Sequence, residues 1–155
     1  VAKLREAGAS IEQNGDYIRV IGPERPDPVN VKTLPYPGFP TDAQQPLTAM
    51  LTRARGVSVI HESVYENRFG YVSELIKMGA NIKVQGKTAV VAGTSRLVGS
   101  PVRATDLRAG ASLMVAGLSA EGTTEVYGLE IIERGYESVV EKLKGLGADV
   151  RRVED

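Results

Sequence analysis

The sequence has no cysteine, no tryptophan and a single histidine, His61. The absence of thiols excludes disulfides, thiolate metal ligands and a cysteine nucleophile within these residues, and it is typical of proteins in a reducing compartment. A lone histidine without thiol partners does not make a metal site. We therefore expect a cytoplasmic protein that holds neither a metal nor another cofactor.

An excess of charge of either sign is also missing, because 19 Lys and Arg residues balance 19 Asp and Glu residues. A neutral chain offers no basic field to nucleic acid and no attraction to an anionic membrane surface. The longest mostly apolar stretch, residues 111 to 120, is far shorter than the roughly 20 residues that span a bilayer. Any anion that this protein binds must therefore be recognised locally.

The residues that are present suit one globular domain. The chain has 155 residues, of which 42% are hydrophobic and 25% charged, enough to bury a core. It opens at Val1 inside an amphipathic helical pattern and without an initiator methionine. We therefore expect it to be part of a longer protein.

Three segments repeat one pattern, a helix that ends in glycine followed by a β-type run. The glycines Gly8, Gly79 and Gly147 lie 79 − 8 = 71 and 147 − 79 = 68 residues apart, each with leucine four residues earlier and alanine directly after. Glycine supplies a left-handed C-terminal cap at little steric cost. After the first two copies, Asn14-Gly15 and Gln85-Gly86 predict short hairpins.

A second match runs in phase with the first. The dipeptide Thr-Asp at 41–42 and again at 105–106 opens a predicted helix, and each helix is expected to end near a glycine, Gly56 or Gly122. We expect Asp42 and Asp106 to be N-caps, where a carboxylate accepts backbone N–H groups at the positive end of the helix dipole. Twelve residues after those glycines come Arg68 and Arg134, where another helix opens.

The repeated unit is therefore strand, Asp-capped helix, strand, Arg-bearing helix and two strands. The chain is interpreted as a single, partial domain, 1–155. Residues 1–22 finish one unit, 29–93 form a second, and 101–155 form most of a third. Alternating strands and helices predict an α/β layer arrangement.

The helix predicted over residues 107 to 120 lacks a charged face. Leu107, Met114, Val115 and Leu118 form an apolar stripe, while the other faces carry small residues. Such helices are usually buried on most sides. We therefore expect the Asp-bearing helices of successive units to pack at a shared centre, with the sheets outside them.

Asp42 follows the proline-rich stretch 35–40, which holds it on a stiff loop. It is either a capping residue or a general base aimed into a cleft. Arg108 opposes the dipole in the first turn of its helix, a placement that an anion bound at the same helix start would explain. The alternative is a solvated or internally paired arginine, which also applies to Arg68 and Arg134.

Four motifs in register resemble the enolpyruvyl transferase family, and most closely the carboxy-terminal part of its UDP-N-acetylglucosamine-dependent enzymes. They are Pro40-Thr-Asp42, Glu66-Asn-Arg-Phe69, Ala104-Thr-Asp-Leu-Arg-Ala109 and Arg134-Gly-Tyr-Glu137. The resemblance implies an inside-out α/β barrel, two domains of three βαβαββ repeats each with the helices inside. This chain would supply most of the second domain.

The resemblance also implies an activity, transfer of enolpyruvyl from phosphoenolpyruvate to the 3-hydroxyl of UDP-N-acetylglucosamine with release of phosphate. This is the first committed step of peptidoglycan precursor synthesis. Asp42 matches the carboxylate that deprotonates the hydroxyl, and Val64 a backbone contact to the sugar nucleotide. The three arginines Arg68, Arg108 and Arg134 match those around phosphoenolpyruvate, and Asp106 a carboxylate near the reacting carbon.

The family's amino-terminal Lys-Asn pair and its Cys- or Asp-bearing loop have no counterpart here, so we expect no turnover without the amino-terminal half. The chain departs from the family pattern at Pro46, at Gly110, where serine is usual, and at Glu133, where aspartate is usual. Two other functions stay open. One is a shikimate-type enolpyruvyl transferase, and the other is a non-catalytic assembly module of the same fold.

Overall fold

The protein is mixed α/β, and the computed structural model describes residues 1–153. Its helices are α1 (Ala2–Glu6), α2 (Thr41–Leu51), α3 (Val72–Lys77), α4 (Leu107–Leu118), α5 (Leu129–Ile132) and α6 (Val139–Gly145). Its strands are β1 (Ser10–Asn14), β2 (Tyr17–Ile21), β3 (Val31–Lys32), β4 (Val57–His61), β5 (Asn81–Gln85), β6 (Thr88–Ala92), β7 (Leu97–Val98), β8 (Pro101–Arg103), β9 (Ala120–Glu121) and β10 (Glu125–Tyr127). No helix within residues 1–153 is long and apolar enough to cross a membrane.

The largest sheet has four strands in the order β3-β4-β6-β5. Strand β3 is parallel to β4, whereas β4 and β5 are both antiparallel to β6. Between β3 and β6 the elements follow the order β-α-β-α-β-β. Later in the chain β7 pairs with β9 and β8 with β10, both in parallel, and α4 lies in the crossover of each pair.

Helix α2 packs against α4 on one side and against β4 and β6 on another. The buried residues Leu47 and Leu51 of α2 share one core cluster with Leu113 of α4, Ile60 of β4 and Val91 of β6. The expectation that the two helices meet at a common centre is confirmed, and the α/β fold class is as expected.

The three repeated glycines have positive φ angles, +95° at Gly8, +89° at Gly79 and +91° at Gly147. At each one the glycine N–H binds the carbonyl three residues back, and the next N–H binds the leucine carbonyl five residues back. This pair of bonds is the Schellman motif, which satisfies carbonyls left free at a helix end. The predicted left-handed caps are confirmed.

Two details of the predicted helices are wrong. Helix α2 ends at Leu51 rather than near Gly56, and turns fill the interval. On α4 the fully buried face is formed by Ala109, Gly110, Ser112, Leu113 and Ala116, whereas Leu118 of the expected apolar stripe is 50% exposed. Small side chains let neighbouring elements approach this helix closely, so the face that carries them packs against the core.

Candidate acid and arginine site

Asp42 lies between two guanidinium groups, and each of its carboxylate oxygens binds one of them. Its Oδ1 accepts from Arg68 Nη2 at 3.0 Å, and its Oδ2 accepts from Arg108 Nη2 at 2.9 Å. The side chain of Asp42 is 56% exposed, so the pairs face solvent. We call Asp42, Arg68 and Arg108 the acid–arginine cluster.

The three members of the cluster come from different elements. Asp42 is the second residue of α2, Arg68 lies in the turn that precedes α3, and Arg108 is the second residue of α4. Packing of α2 against α4 places the starts of both helices side by side, which joins residues 66 positions apart in the chain. Three of the predicted site residues are thus brought together.

The proposed N-cap role of Asp42 is wrong. The N-cap of α2 is Pro40, without a side-chain capping bond, because Asp42 is two residues further on and its carboxylate is engaged by the arginines. Pro46, inside the same helix, has no N–H to give to the Asp42 carbonyl. Asp42 is therefore held mainly by the contacts of its side chain and of Thr41, its neighbour.

Asp106 is the N-cap of α4, as expected. Its Oδ1 accepts from the backbone N–H groups of Arg108 and Ala109, both at 2.9 Å. A carboxylate in this position accepts hydrogen bonds from free backbone N–H groups and interacts favourably with the positive end of the helix dipole. It thereby fixes the helix start that carries Arg108.

Aromatic rings support both arginines of the cluster. Arg108 Nη1 donates to the Tyr136 hydroxyl at 2.7 Å, and its guanidinium carbon lies 5.5 Å from the centre of the Tyr136 ring. The bond to this phenol, helped by the Asp42 carboxylate, raises the pKa of Arg108 above its ordinary value despite partial burial. Arg68 lies over the Tyr65 ring at 4.6 Å. Such stacking restricts a guanidinium while leaving its edge free to bind anions.

Two predicted site residues are not in direct contact with the cluster. Arg134 lies in the turn between α5 and α6, exposed, and no hydrogen bond or ion pair joins it to any other residue of the described range 1–153. Val64 is 43% exposed after β4, and its backbone N–H binds Glu62. Their assigned roles stay predictions.

The sequence analysis missed two residues that shape this site. Tyr136 was seen only as part of a motif, although it binds Arg108. Glu62 was not predicted to belong to the site, yet it is 1% exposed and accepts four hydrogen bonds. The local signal for it is a carboxylate directly after a strand that contains three β-branched apolar residues.

The charge balance of the cluster favours anion binding. Two guanidinium groups face one carboxylate, which leaves one positive charge in excess at an open surface. Arginine forks match carboxylate and phosphate oxygens with two parallel bonds. A small anion that took over the arginines would also release the oxygens of Asp42, which could then accept a proton.

Comparison with known proteins shows the family of the chain. The family model described as EPSP synthase (3-phosphoshikimate 1-carboxyvinyltransferase) matches residues 1–143. The chain therefore belongs to this family of enolpyruvyl transferases. Among its relatives are proteins named UDP-N-acetylglucosamine 1-carboxyvinyltransferase, with 58% identity over 97% of the chain in Symbiobacterium thermophilum and 55% over 97% in Bacillus subtilis.

Solved structures show the same relationship. The enolpyruvyl transferase NikO from Streptomyces tendae matches 98% of the chain and 35% of its own length, with 32% identity and a TM-score of 0.89. An EPSP synthase from Acinetobacter baumannii shares the fold at 22% identity and a TM-score of 0.71, over 96% of the chain and 35% of its own. The chain spans 36% and 35% of the two carboxyvinyltransferases named above.

Proposed function

We propose that this chain forms part of an enzyme that transfers enolpyruvyl from phosphoenolpyruvate to the 3-hydroxyl of UDP-N-acetylglucosamine. The observation that carries the proposal is the acid–arginine cluster, in which one carboxylate and two guanidinium groups share an open surface. The similarity to enzymes named for this acceptor and for the transferred carboxyvinyl group, at 58% and 55% identity, supports the choice of acceptor. The reaction would supply a cytoplasmic precursor of peptidoglycan.

In the proposed reaction, the arginines bind the carboxylate and phosphate of phosphoenolpyruvate. Arg68 and Arg108 would exchange Asp42 for this anion, and Arg134, free at the surface, would join them. Preorganised cations stabilise a multiply charged intermediate better than water does, because they need no reorganisation. Val64 would contact the sugar nucleotide through its backbone.

Asp42 is proposed as the base for the sugar hydroxyl. The hydroxyl oxygen bonds to C2 of phosphoenolpyruvate while its proton passes to Asp42. The electron pair of the C2–C3 double bond takes a proton at C3 from an acid group of the amino-terminal portion, which accepts a C3 proton back in the second step. Loss of a C3 proton and departure of phosphate from C2 then restore the double bond. Asp106, which caps α4 beside Arg108, is the carboxylate nearest in sequence to that arginine and is proposed to face the reacting carbon.

The test is reconstitution. The chain is mixed with a separately produced amino-terminal portion of a relative, and phosphate release from phosphoenolpyruvate and UDP-N-acetylglucosamine is measured. We expect turnover from the assembled complex and none from the chain alone. An assembled complex that binds the sugar nucleotide but releases no phosphate would contradict the proposal.

The same assay separates the two alternatives. A shikimate-type enzyme, to which the description of the matching family model refers, would accept shikimate 3-phosphate in place of the sugar nucleotide. If the chain is an assembly module, calorimetry of the complex should detect no binding of UDP-N-acetylglucosamine. Asp42→Ala should then change neither binding nor phosphate release.

A further inference from the structure

Glu62 is the most deeply buried carboxylate near the cluster. It directly follows β4 and is 1% exposed, yet within residues 1–153 no hydrogen bond or ion pair links it to Asp42, Arg68 or Arg108. A buried charge is costly unless hydrogen bonds replace its water. The carboxylate must therefore be compensated by groups other than the arginines.

Its two oxygens join three separate segments. Oε1 accepts from Thr33 Oγ1 at 2.6 Å and from the backbone N–H groups of Val64 and Tyr65 at 2.9 Å each. Oε2 accepts from Thr41 Oγ1 at 2.9 Å. One side chain thus connects the end of β3, the start of α2 and the turn that follows β4.

These attachments lie directly beside the functional residues. Thr41 precedes Asp42, and Tyr65, three residues before Arg68, packs its ring 4.6 Å from the Arg68 guanidinium. We propose that Glu62 is a positioning residue. By binding Thr41 and Tyr65, it fixes the segments that carry Asp42 and Arg68 and so keeps the two side chains within hydrogen-bond distance. Its effect on turnover rests on the proposed function, whereas its effect on the ion pair does not.

The proline-rich loop 34–40 gives a second reason for this role. Thr33 and Thr41 flank the loop, and both donate to the same carboxylate. Within the loop, Leu34 N–H binds the Phe39 carbonyl at 3.0 Å, and Tyr36 at its tip is 98% exposed. Together with this backbone bond, Glu62 holds the base of the loop next to the start of α2.

The experiment compares four variants of the full chain. Glu62→Gln keeps the shape but replaces the acceptor Oε2 with an amide donor, and Thr41→Val removes a single hydroxyl while Thr41→Ser retains it. Val91→Ala, in the core on β6, matches the loss of stability without touching these hydrogen bonds. For each variant, NMR measures rotation about the Arg68 Nε–Cζ bond, and calorimetry measures affinity for phosphoenolpyruvate.

We expect Glu62→Gln and Thr41→Val to speed up Arg68 rotation and to weaken phosphoenolpyruvate binding by about tenfold, the usual effect of one misplaced charge-assisted hydrogen bond. Thr41→Ser and Val91→Ala should resemble the unmodified chain in both measurements. If Glu62→Gln does not fold, the comparison of Thr41→Val with Thr41→Ser still tests whether the hydrogen bond to Glu62 positions Arg68.

Unchanged Arg68 rotation in Glu62→Gln and Thr41→Val, or equal changes in Val91→Ala, would overturn the inference and leave Glu62 a purely structural residue. Phosphoenolpyruvate binding to none of the proteins, including the unmodified chain, would instead count against the proposed function. In that case faster Arg68 rotation in Thr41→Val alone would still support positioning by Glu62.

Discussion

Asp42 combines two properties that rarely occur together, since it is more than half exposed and yet has both oxygens bound to arginines. Ion pairs at a surface contribute little to stability, typically about 0–1 kcal/mol. Two like charges held side by side repel each other, and the exposed ion pairs offset little of this cost. We therefore interpret the arrangement as a site prepared to bind an anion. We infer that Arg68 and Arg108 can exchange the Asp42 carboxylate for a bound anion.

Asp42→Asn should separate binding from catalysis. The amide cannot take the proton of the hydroxyl, so we expect turnover of the assembled enzyme to fall about 100-fold or more. Affinity for phosphoenolpyruvate should not fall, because the variant competes less strongly for Arg68 and Arg108. Steady-state phosphate release and calorimetric titration measure the two quantities. Asp16→Asn, in the exposed turn after β1, is the control, and a parallel loss of affinity in Asp42→Asn would contradict the exchange.

Glu62 should make stability depend on acid pH. Burial alone would raise the pKa of Glu62, but hydrogen bonds from Thr33, Tyr65, Val64 and Thr41 together lower it below its ordinary value of 4.5. A group with a lowered folded pKa stabilises the fold above its unfolded pKa, and that contribution is lost as pH falls through the folded value.

The unmodified chain should therefore exceed Glu62→Gln in free energy of unfolding by an amount that shrinks as the pH falls through 4.5 and then through the lower folded pKa. Urea denaturation at a series of pH values measures this difference. The exposed residue Glu12 supplies a control, since the free energy of unfolding of Glu12→Gln should change with pH in the same way as that of the unmodified chain. A gap that stayed constant down to the lowest pH would show that folding does not shift the pKa of Glu62.

At the scale of elements, local chemistry decided what the sequence could predict. The glycine caps and the Asp106 cap each depend on bonds within six residues, so spacing alone was enough. The cap assigned to Asp42 failed because a contact with Arg108, 66 residues away, outweighs local capping. The hydrogen bonds of Glu62 were invisible for the same reason, since Thr33 and Thr41 are 29 and 21 residues away.

Helix α4 depends on a glycine at one position and not at another. A Cβ on Gly110 would lie 2.3 Å from Ile132 Cγ1 and 2.8 Å from its Cδ1, whereas a Cβ on Gly117 would lie 3.3 Å from the nearest atom, Thr124 Cβ. Ile132 is 1% exposed and cannot simply move into solvent. Gly110 thus makes room for this isoleucine.

Gly110→Ala should destabilise the protein by about 1–3 kcal/mol, the usual cost of overpacking, even though alanine favours helix. Gly117→Ala in the same helix should be neutral or stabilising. Thermal and urea unfolding compare the two. In a double-mutant cycle, Ile132→Ala should cancel much of the cost of Gly110→Ala, and simple additivity of the two changes would refute the proposed clash.

At the scale of the whole molecule, the repeat accounts for the meeting of distant residues. Successive units place the starts of α2 and α4 together, and the cluster draws Asp42 and Arg68 from the stretch 29–93 and Arg108 from the stretch beyond residue 101. The repeat predicted an α/β layer arrangement, and the resemblance carried by the four motifs implied the family fold. The division into units at 22, 29, 93 and 101 stays a prediction, as does the role of Arg134.

The last prediction concerns cooperation between these units. If Arg68 and Arg108 bind one anion, removing either should weaken phosphoenolpyruvate binding by about tenfold, and removing both should cost distinctly less or more than the sum, because residues that share a partner couple. Calorimetric titration of Arg68→Ala, Arg108→Ala and the double variant measures the coupling. Arg96→Ala, which breaks an exposed pair with Glu121 at 3.6 Å, should leave affinity unchanged. Strictly additive losses for the two cluster arginines would mean that they serve separate sites, because distant, independent positions add.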